Sequence, residues 1–206
     1  MILIISCDDI GQDYFWNTDN KELFIRKFGT LGYDYGWSLS FSPYDNGIIL
    51  TGSQQAKINQ EKNLWAIKTN SYGIVEWEKS IGGAGNEEGY DVISTSDGGF
   101  LFVGYTWSYG NEQQVYVVKT DYYGNILWEK NYGGAMWDVG NSVIELIDGN
   151  YAIIGYSNSP GISSGNTDIL LIKIDINGNL IYLKSYGNEL YPNHEWGTDK
   201  IGRAHV

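Results

Sequence analysis

The strongest constraint on the fold of this chain is a string of residues that occurs three times in similar form. The copies are NSYGIVEWEKSIGG at 70–83, DYYGNILWEKNYGG at 121–134 and DINGNLIYLKSYGN at 175–188. Their glycines Gly73, Gly124 and Gly178 are 51 and 54 residues apart. Self-similarity at a fixed period of about 50 residues is the signature of a repeat architecture. The sequence therefore predicts three copies of one structural unit.

A second marker follows the same period. The segments DNGIILTG, GGFLFVG and GNYAIIG end in Gly52, Gly104 and Gly155, which are 52 and 51 residues apart. We expect each of these glycines at a close approach of two backbones inside a sheet.

Each unit is predicted to form four short antiparallel strands. The turn signals are Asp97-Gly98 and Gly124-Asn125 in the second unit, and Asp148-Gly149 and Asn177-Gly178 in the third. An Asp-Gly pair favours a tight hairpin because both of its residues tolerate positive φ. The segments between turns are rich in β-branched and aromatic residues, and none shows sustained helical periodicity. Because four strands in about 50 residues describe a propeller blade, we predict an all-β fold, a β-propeller fragment of about three complete four-stranded antiparallel blades with partial blades at both ends.

One aromatic position recurs in the fourth strand of each unit. It holds Trp77, Trp128 and Tyr182, and two residues later come Lys79, Lys130 and Lys184. A single sheet can bury its faces only by stacking on neighbouring sheets. We therefore expect each ring to fill the gap between two blades, with the lysine stem over the ring and its ammonium group in water.

These motifs resemble a known repeat family. The pattern W-x-K-x-[aromatic/Ile]-G-G, present at 128–134, is followed by an acidic residue, G-x-S-V, D-G-G/N and V/I-G-Y. It is similar to the β-propeller repeats of bacterial and archaeal secreted proteins, often called seven-bladed bacterial propeller repeats. The likeness covers nearly all of 24–200 and implies the fold rather than a ligand. The first unit departs from it, with Phe28-Gly29-Thr30 in place of the glycine pair and Asn46-Gly47 in place of Asp-Gly.

The repeats set the predicted domain boundaries. Propeller repeats span 17–200, with blades at about 29–80, 81–131 and 132–185 and partial blades at 17–28 and 186–200. Closed propellers have about four to eight blades, so this number of blades should not close a ring. The last residues, IGRAHV at 201–206, break the pattern and look like the translation of a common short-read sequencing adapter. Our hypothesis is that they are an adapter artefact, which the nucleotide sequence tests.

The first residues, 1–16, are predicted to be a truncated signal segment and linker. Ile4-Ile5-Ser6-Cys7 resembles the lipobox of bacterial lipoproteins, and Asp8-Asp9 resembles the acidic export signal of some surface lipoproteins. We predict lipidation at Cys7, with the membrane contacted only through the lipid anchor. The predicted location is extracytoplasmic, as an outer-membrane or cell-surface lipoprotein or a secreted protein. The alternative is a chance cysteine in an apolar end.

Charge and residue content narrow the classes of function. A net charge of −12 and a pI near 4.4 repel phosphate backbones, so we predict no nucleic-acid partner. A single cysteine excludes an internal disulfide framework. No triad can be proposed around His194, and no metal cluster is recognisable. We predict no catalytic residue, no metal site and no cofactor.

Four acidic residues stand two positions before the first glycine of each repeat: Asp34, Glu87, Asp138 and Glu195. In one interpretation they form a circle of carboxylates that binds a cation or a basic ligand. In the other, which we favour, each carboxylate caps backbone amides of its own blade.

Tryptophans form the other candidate site. Trp37, Trp107, Trp137 and Trp196 fall in loops or at strand starts. Exposed rings beside carboxylates suit sugars and protein interfaces, whereas packing between blades is the ordinary use of any one of them. We predict that the acidic residues together with Trp37, Trp107 and Trp137 mark the ligand face.

The function predicted from the sequence is a non-catalytic β-propeller scaffold that binds an unknown protein or carbohydrate. The alternative is an enzyme, because the pattern D-x-x-G-x-x-x-W at 121–128 also resembles quinoprotein dehydrogenases. That resemblance implies a quinone held by calcium in the central channel. A quinone absorbance band or dehydrogenase activity of the full-length protein distinguishes the two classes. A fold alone does not choose between them.

Overall fold

The structure is a computed structural model that describes residues 14–18, 21–55, 60–110, 112–159 and 167–187. Fourteen β-strands and no helix occur in these ranges. Predictions made for Cys7, Glu195 and 201–206, and nearly all of the partial blade at 186–200, lie outside the described residues.

Twelve of the strands form three four-stranded antiparallel sheets. Sheet 1 contains β3 (Asp34–Ser42), β4 (Gly47–Gln54), β5 (Asn63–Thr69) and β6 (Val75–Ile81). Sheet 2 contains β7 (Glu87–Ser94), β8 (Phe100–Thr106), β9 (Gln114–Thr120) and β10 (Ile126–Tyr132). Sheet 3 contains β11 (Asp138–Glu145), β12 (Tyr151–Ser157), β13 (Asp168–Ile174) and β14 (Leu180–Tyr186). The prediction of an all-β fold with three four-stranded antiparallel units is confirmed.

Two further strands precede sheet 1. They are β1 (Tyr14–Thr18) and β2 (Lys21–Ile25), which pair with each other antiparallel. A partial unit was predicted at 17–28, and the first of these strands begins three residues before that boundary.

Within each sheet the strand order follows the chain order, so every strand pairs with the next one along the chain. The first strand of each sheet carries a β-bulge, which lies at Trp37 in β3, Tyr90 in β7 and Asn141 in β11. The repeated glycines lie beside the bulges, where Gly104 pairs with Gly89. A Cβ on Gly104 would overlap the carbonyl of Glu88. The close approach of two backbones therefore explains why glycine recurs here.

The hairpin turns differ in one detail from the prediction. At Asp97-Gly98 only the glycine has a positive φ, of 89°. Asp97 instead accepts a hydrogen bond at 3.0 Å from the backbone N–H of Gly99 through its carboxylate. Asp97 therefore does not use the positive φ that this position tolerates, since its side chain stabilises an ordinary backbone conformation.

Each sheet packs against the next through the same pair of faces. The core between sheets 1 and 2 contains Ile49, Leu64, Ala66, Ile81, Val92, Phe100, Phe102, Tyr116 and Val118. The core between sheets 2 and 3 contains Leu101, Val103, Val115, Val117, Tyr132, Val143, Tyr151, Ile153, Leu170, Ile172 and Ile174. Sheet 2 therefore lies between the other two.

The repeated aromatic position lies at these junctions. The indole Nε1 of Trp77 donates to the carbonyl of Tyr122 at 3.0 Å, and that of Trp128 donates to the carbonyl of Ile176 at 3.2 Å. Both acceptors lie in the last hairpin turn of the following sheet. Tyr182, on the last described strand, is exposed, with the Nζ of Lys184 5.4 Å from its ring centroid.

The sheets have two ends of different character. One end, which we call the turn face, carries the two tight hairpin turns of each sheet, at 43–46 and 70–74, 95–99 and 121–125, and 146–150 and 175–179. The opposite end, the loop face, carries the longer loops after β4, β8 and β12 and the connections that lead into each sheet. The ligand face predicted from the sequence corresponds to the loop face.

Candidate functional site

The three described members of the acidic set begin the first strand of their sheets and are buried: Asp34, Glu87 and Asp138. Glu87 accepts hydrogen bonds from the backbone N–H of Gly83 at 2.9 Å and from the hydroxyls of Thr106 and Ser108 at 2.7 and 2.6 Å. Every donor belongs to sheet 2, to the loop after its second strand or to the connection that leads into the sheet.

The same arrangement recurs in the neighbouring sheets. Asp138 accepts from the N–H of Gly134 at 2.7 Å and from the hydroxyl of Ser159 at 2.8 Å. Asp34 accepts from the backbone N–H of Thr30 and from that of Gln55. Each carboxylate thus ties the strand entry to the loop after the second strand, as in the capping interpretation.

Burial dominates the electrostatics of Asp138. It raises the pKa of this carboxyl above its usual range, although hydrogen bonds from Ser157, Gly134 and Ser159 oppose the shift. Within the described ranges no group of three His, Cys, Asp or Glu side chains is placed to hold a metal ion. Through their hydrogen bonds, the buried carboxylates stabilise the backbone beneath the loop face.

The tryptophans above these carboxylates are exposed. Trp107 and Trp137 come from adjacent sheets and meet edge to face, with ring centroids 6.4 Å apart and 39% and 50% of each residue exposed. The Nε1 of Trp137 donates to the carboxylate of Glu112 at 3.0 Å. Ring edges, ring faces and a carboxylate are thus combined on one surface.

Trp37 lies in a second aromatic group on the first strands. It stacks on Tyr35 with centroids 5.9 Å apart and meets Tyr90 edge to face at 5.6 Å. Its Nε1 donates to Glu88 at 3.2 Å, and Glu88 also pairs with Lys62 at 3.1 Å. The sequence placed Trp37 beside Trp107 and Trp137 as one candidate set, and the structure divides them between two neighbouring groups.

Sequence reasoning missed a repeated ion pair at the turn face. The lysine in the third strand of each sheet pairs with the aspartate of the first hairpin turn: Lys68 with Asp45, Lys119 with Asp97 and Lys173 with Asp148. The signal was present, because these aspartates are 52 and 51 residues apart and these lysines 51 and 54.

The repeat also separates shared positions from individual ones. Trp77 and Trp128 occupy a position that every unit fills with an aromatic ring, whereas Trp107 corresponds to Gln55 and Asn158. Trp137 likewise corresponds to Tyr33 and Asn86. The exposed pair is therefore not demanded by the packing that the units have in common.

Comparison with known proteins gives no family assignment. No protein-family model matches the chain, and no curated protein matches it. Among solved structures, a protein of unknown function from Bacteroides caccae is 13% identical with a TM-score of 0.44, over 82% of this chain and 50% of that one. Sqt1 from Chaetomium thermophilum is 12% identical with a TM-score of 0.44, over 75% of this chain and 36% of that one. The chain thus spans half the length of the first structure and about a third of the second.

The described part of the chain was also searched for membrane spans, and it contains no helix long and apolar enough to cross a bilayer.

Proposed function

We propose that this chain forms part of a β-propeller of the secreted bacterial and archaeal repeat type, in which sheets 1 to 3 are three blades. Three observations support the proposal. The strands of each sheet follow one another in chain order, consecutive sheets pack through equivalent faces, and one aromatic position recurs at each junction. A propeller repeats one sheet radially in this way.

We propose further that the propeller is a non-catalytic binding scaffold whose loop face takes a protein or a glycan. The observation that carries this function is the exposed edge-to-face pair of Trp107 and Trp137. Two large rings from neighbouring sheets, on a surface supported by buried carboxylates, form a pre-organised contact area. Tryptophan concentrates binding energy when a partner covers it.

The chemistry of this surface favours a glycan over a protein. A sugar stacks the C–H groups of its ring on an indole face and donates its hydroxyls to a carboxylate, and Glu112 supplies that acceptor beside Trp137. The rings are amphipathic and already held in place, so little conformational entropy is lost on binding.

The test is a printed array of oligosaccharides, followed by calorimetric titration of the oligosaccharides that bind. We expect Trp107→Ala and Trp137→Ala each to weaken binding about 30-fold, in line with about 2 kcal/mol for an interface tryptophan. Ile147→Ala is the matched control, because Ile147 is fully exposed on the turn face. A wild-type protein that binds no glycan, or variants that bind as the wild type does, would contradict the glycan ligand.

We also propose an extracytoplasmic location with a lipid anchor at Cys7. The support is the sequence Ile4-Ile5-Ser6-Cys7-Asp8-Asp9 alone. Metabolic labelling with an alkyne fatty acid should tag the protein and fail to tag Cys7→Ala, and an unlabelled wild type rejects the anchor.

A further inference from the structure

A cleft of about 550 Å³ opens on the turn face between sheets 1 and 2. Its walls are Tyr44 from the first turn of sheet 1, residues 97–99 from the first turn of sheet 2, and Asp121, Tyr122 and Tyr123 from the last turn of sheet 2. Lys119 and Leu127 complete the lining. This volume lies within the range of about 300–1,000 Å³ that is typical of small-ligand sites.

The aromatic walls are held in place by contacts between the two sheets. The hydroxyl of Tyr44 donates to the carbonyl of Ser96 at 3.2 Å, and that of Tyr122 donates to Asp45 at 2.8 Å. Tyr123 meets the ring of Tyr122 edge to face, with centroids 5.3 Å apart, and is 71% exposed. The rings of Tyr44 and Tyr122 therefore need little ordering when a ligand enters the cleft.

The charge of the cleft is negative. Although burial opposes the shift, hydrogen bonds from Thr95, Gly99 and Lys119 hold the pKa of Asp97 below its usual range. Hydrogen bonds from the side chain and backbone of Asn125 do the same for the pKa of Asp121, again against burial. Both carboxylates are thus ionised at neutral pH, while the one lysine of the lining is buried in its ion pair with Asp97.

The three tyrosines are individual to this junction. At the equivalent junction between sheets 2 and 3, the corresponding residues are Ser96, Ile176 and Asn177. The ion pair of lysine and aspartate, in contrast, recurs in all three sheets. The packing of one sheet on the next therefore does not require the aromatic walls.

We propose that this cleft binds an organic cation, namely the guanidinium or ammonium group of a basic peptide side chain. The Nζ of Lys68 already lies over the ring of Tyr122, 5.3 Å from its centroid, so we expect the bound cation over the rings of Tyr44 and Tyr123. Their quadrupoles attract a cation, and the attraction grows as the cation loses water. Asp121 supplies the charge-assisted hydrogen bond that holds such a group in one orientation. The site lies at the opposite end of the sheets from Trp107 and Trp137 and is independent of the glycan proposal.

The probe is a fluorescein-labelled hexa-arginine peptide, titrated with the full chain and followed by fluorescence anisotropy at about 0.15 M salt. A Gly-Ser peptide of equal length is the neutral reference. We expect Tyr123→Ala to weaken binding of hexa-arginine about fivefold, the equivalent of one cation–π contact. Asp121→Asn should weaken it by a similar factor. Trp137→Ala should leave it unchanged.

Both variants are expected to fold. Tyr123 is exposed, so its truncation leaves the core intact. An asparagine can take the place of Asp121, because Asn70 holds the equivalent position in sheet 1 and accepts hydrogen bonds from the N–H groups of Tyr72 and Ile74 at 2.9 and 3.1 Å. The matched controls are Asn177→Ala and Asp175→Asn, which make the same changes at the junction that lacks tyrosines. Equal loss in the control pair would mean attraction to the acidic surface in general and overturn the proposal. So would equal affinity for the two peptides.

Discussion

At the scale of single residues, one neighbouring position determines how deeply the repeated lysine of the third strand is buried. The side chains of Lys68 and Lys119 are 0% and 1% exposed, whereas that of Lys173 is 22% exposed. Gly47 and Gly99 stand where a Cβ would come within 2.6 and 2.5 Å of the lysine Nζ. Asn150 holds that position in sheet 3. Because glycine has no side chain, the ammonium group of the lysine can lie buried between the hairpin turn and the third strand.

This difference predicts unequal costs for one substitution. Lys68→Met should lower the free energy of unfolding by about 3 kcal/mol, because Asp45 and Glu76 lose the buried partner that both contact. Lys173→Met is the same substitution at a more exposed ion pair and should lower the free energy of unfolding much less. Urea unfolding followed by circular dichroism measures both. Equal losses would show that the depth of the ion pair is irrelevant.

At the scale of elements, the hairpin after β9 is shaped by the strand of another sheet. Gly124 has a φ of 77°, and a Cβ there would lie 3.0 Å from the indole of Trp77. Gly149 has the same φ of 77° with nothing within 4 Å of such a Cβ. Alanine substitutions at these two glycines therefore separate the energetic cost of backbone strain from the cost of disturbing the packing between sheets.

Gly149→Ala should therefore cost about 1–2 kcal/mol, the price of a left-handed conformation in an alanine. Gly124→Ala should cost about 1–3 kcal/mol more, since the added methyl group must displace Trp77. Thermal unfolding of both variants provides the comparison. Identical midpoints would argue that the indole moves aside freely.

Much of the element level was predictable from the sequence, and the reason is physical. The turns with Gly98 and Gly124 and the β-branched runs between them are local signals, and local signals set strand boundaries. The tyrosine cleft was not predictable, because Tyr44 and Tyr122 come to line one cleft only through the packing of sheet 1 on sheet 2. The burial of Glu87 was left open for the same reason, since it depends on hydroxyls about 20 residues away.

At the scale of the whole molecule, one carboxylate links the first strands of all three sheets. Asp91 on β7 accepts from the hydroxyl of Ser38 on β3 at 2.7 Å. It also accepts from the hydroxyl of Ser142 at 2.8 Å and from the N–H of Val143 at 3.1 Å, both on β11. The middle sheet is thereby hydrogen-bonded to both neighbours through a single buried side chain.

Asp91→Ala should cost about 3 kcal/mol or more, because the buried donors of Ser142 and Val143 and the partly buried hydroxyl of Ser38 lose their acceptor. Ser38→Ala removes one donor at the edge and should cost about 1 kcal/mol. We also expect the wild type to unfold in one transition, and that transition to broaden in Asp91→Ala as the sheets uncouple. Calorimetry reports both effects, and a sharp, unshifted transition would contradict the linking role.

The chain-order pairing of strands has a consequence for synthesis on the ribosome. All four strands of one sheet are synthesised before the first strand of the next. When Val92 and Phe102 of sheet 2 are made, Ile49 and Leu64 of sheet 1, against which they pack, are therefore already present. Sheets 2 and 3 therefore each meet a preceding sheet that has already been synthesised, and the outer face of the newest sheet stays uncovered until the next one packs on it. Vectorial growth of this kind keeps the aggregation-prone surface constant while the protein lengthens.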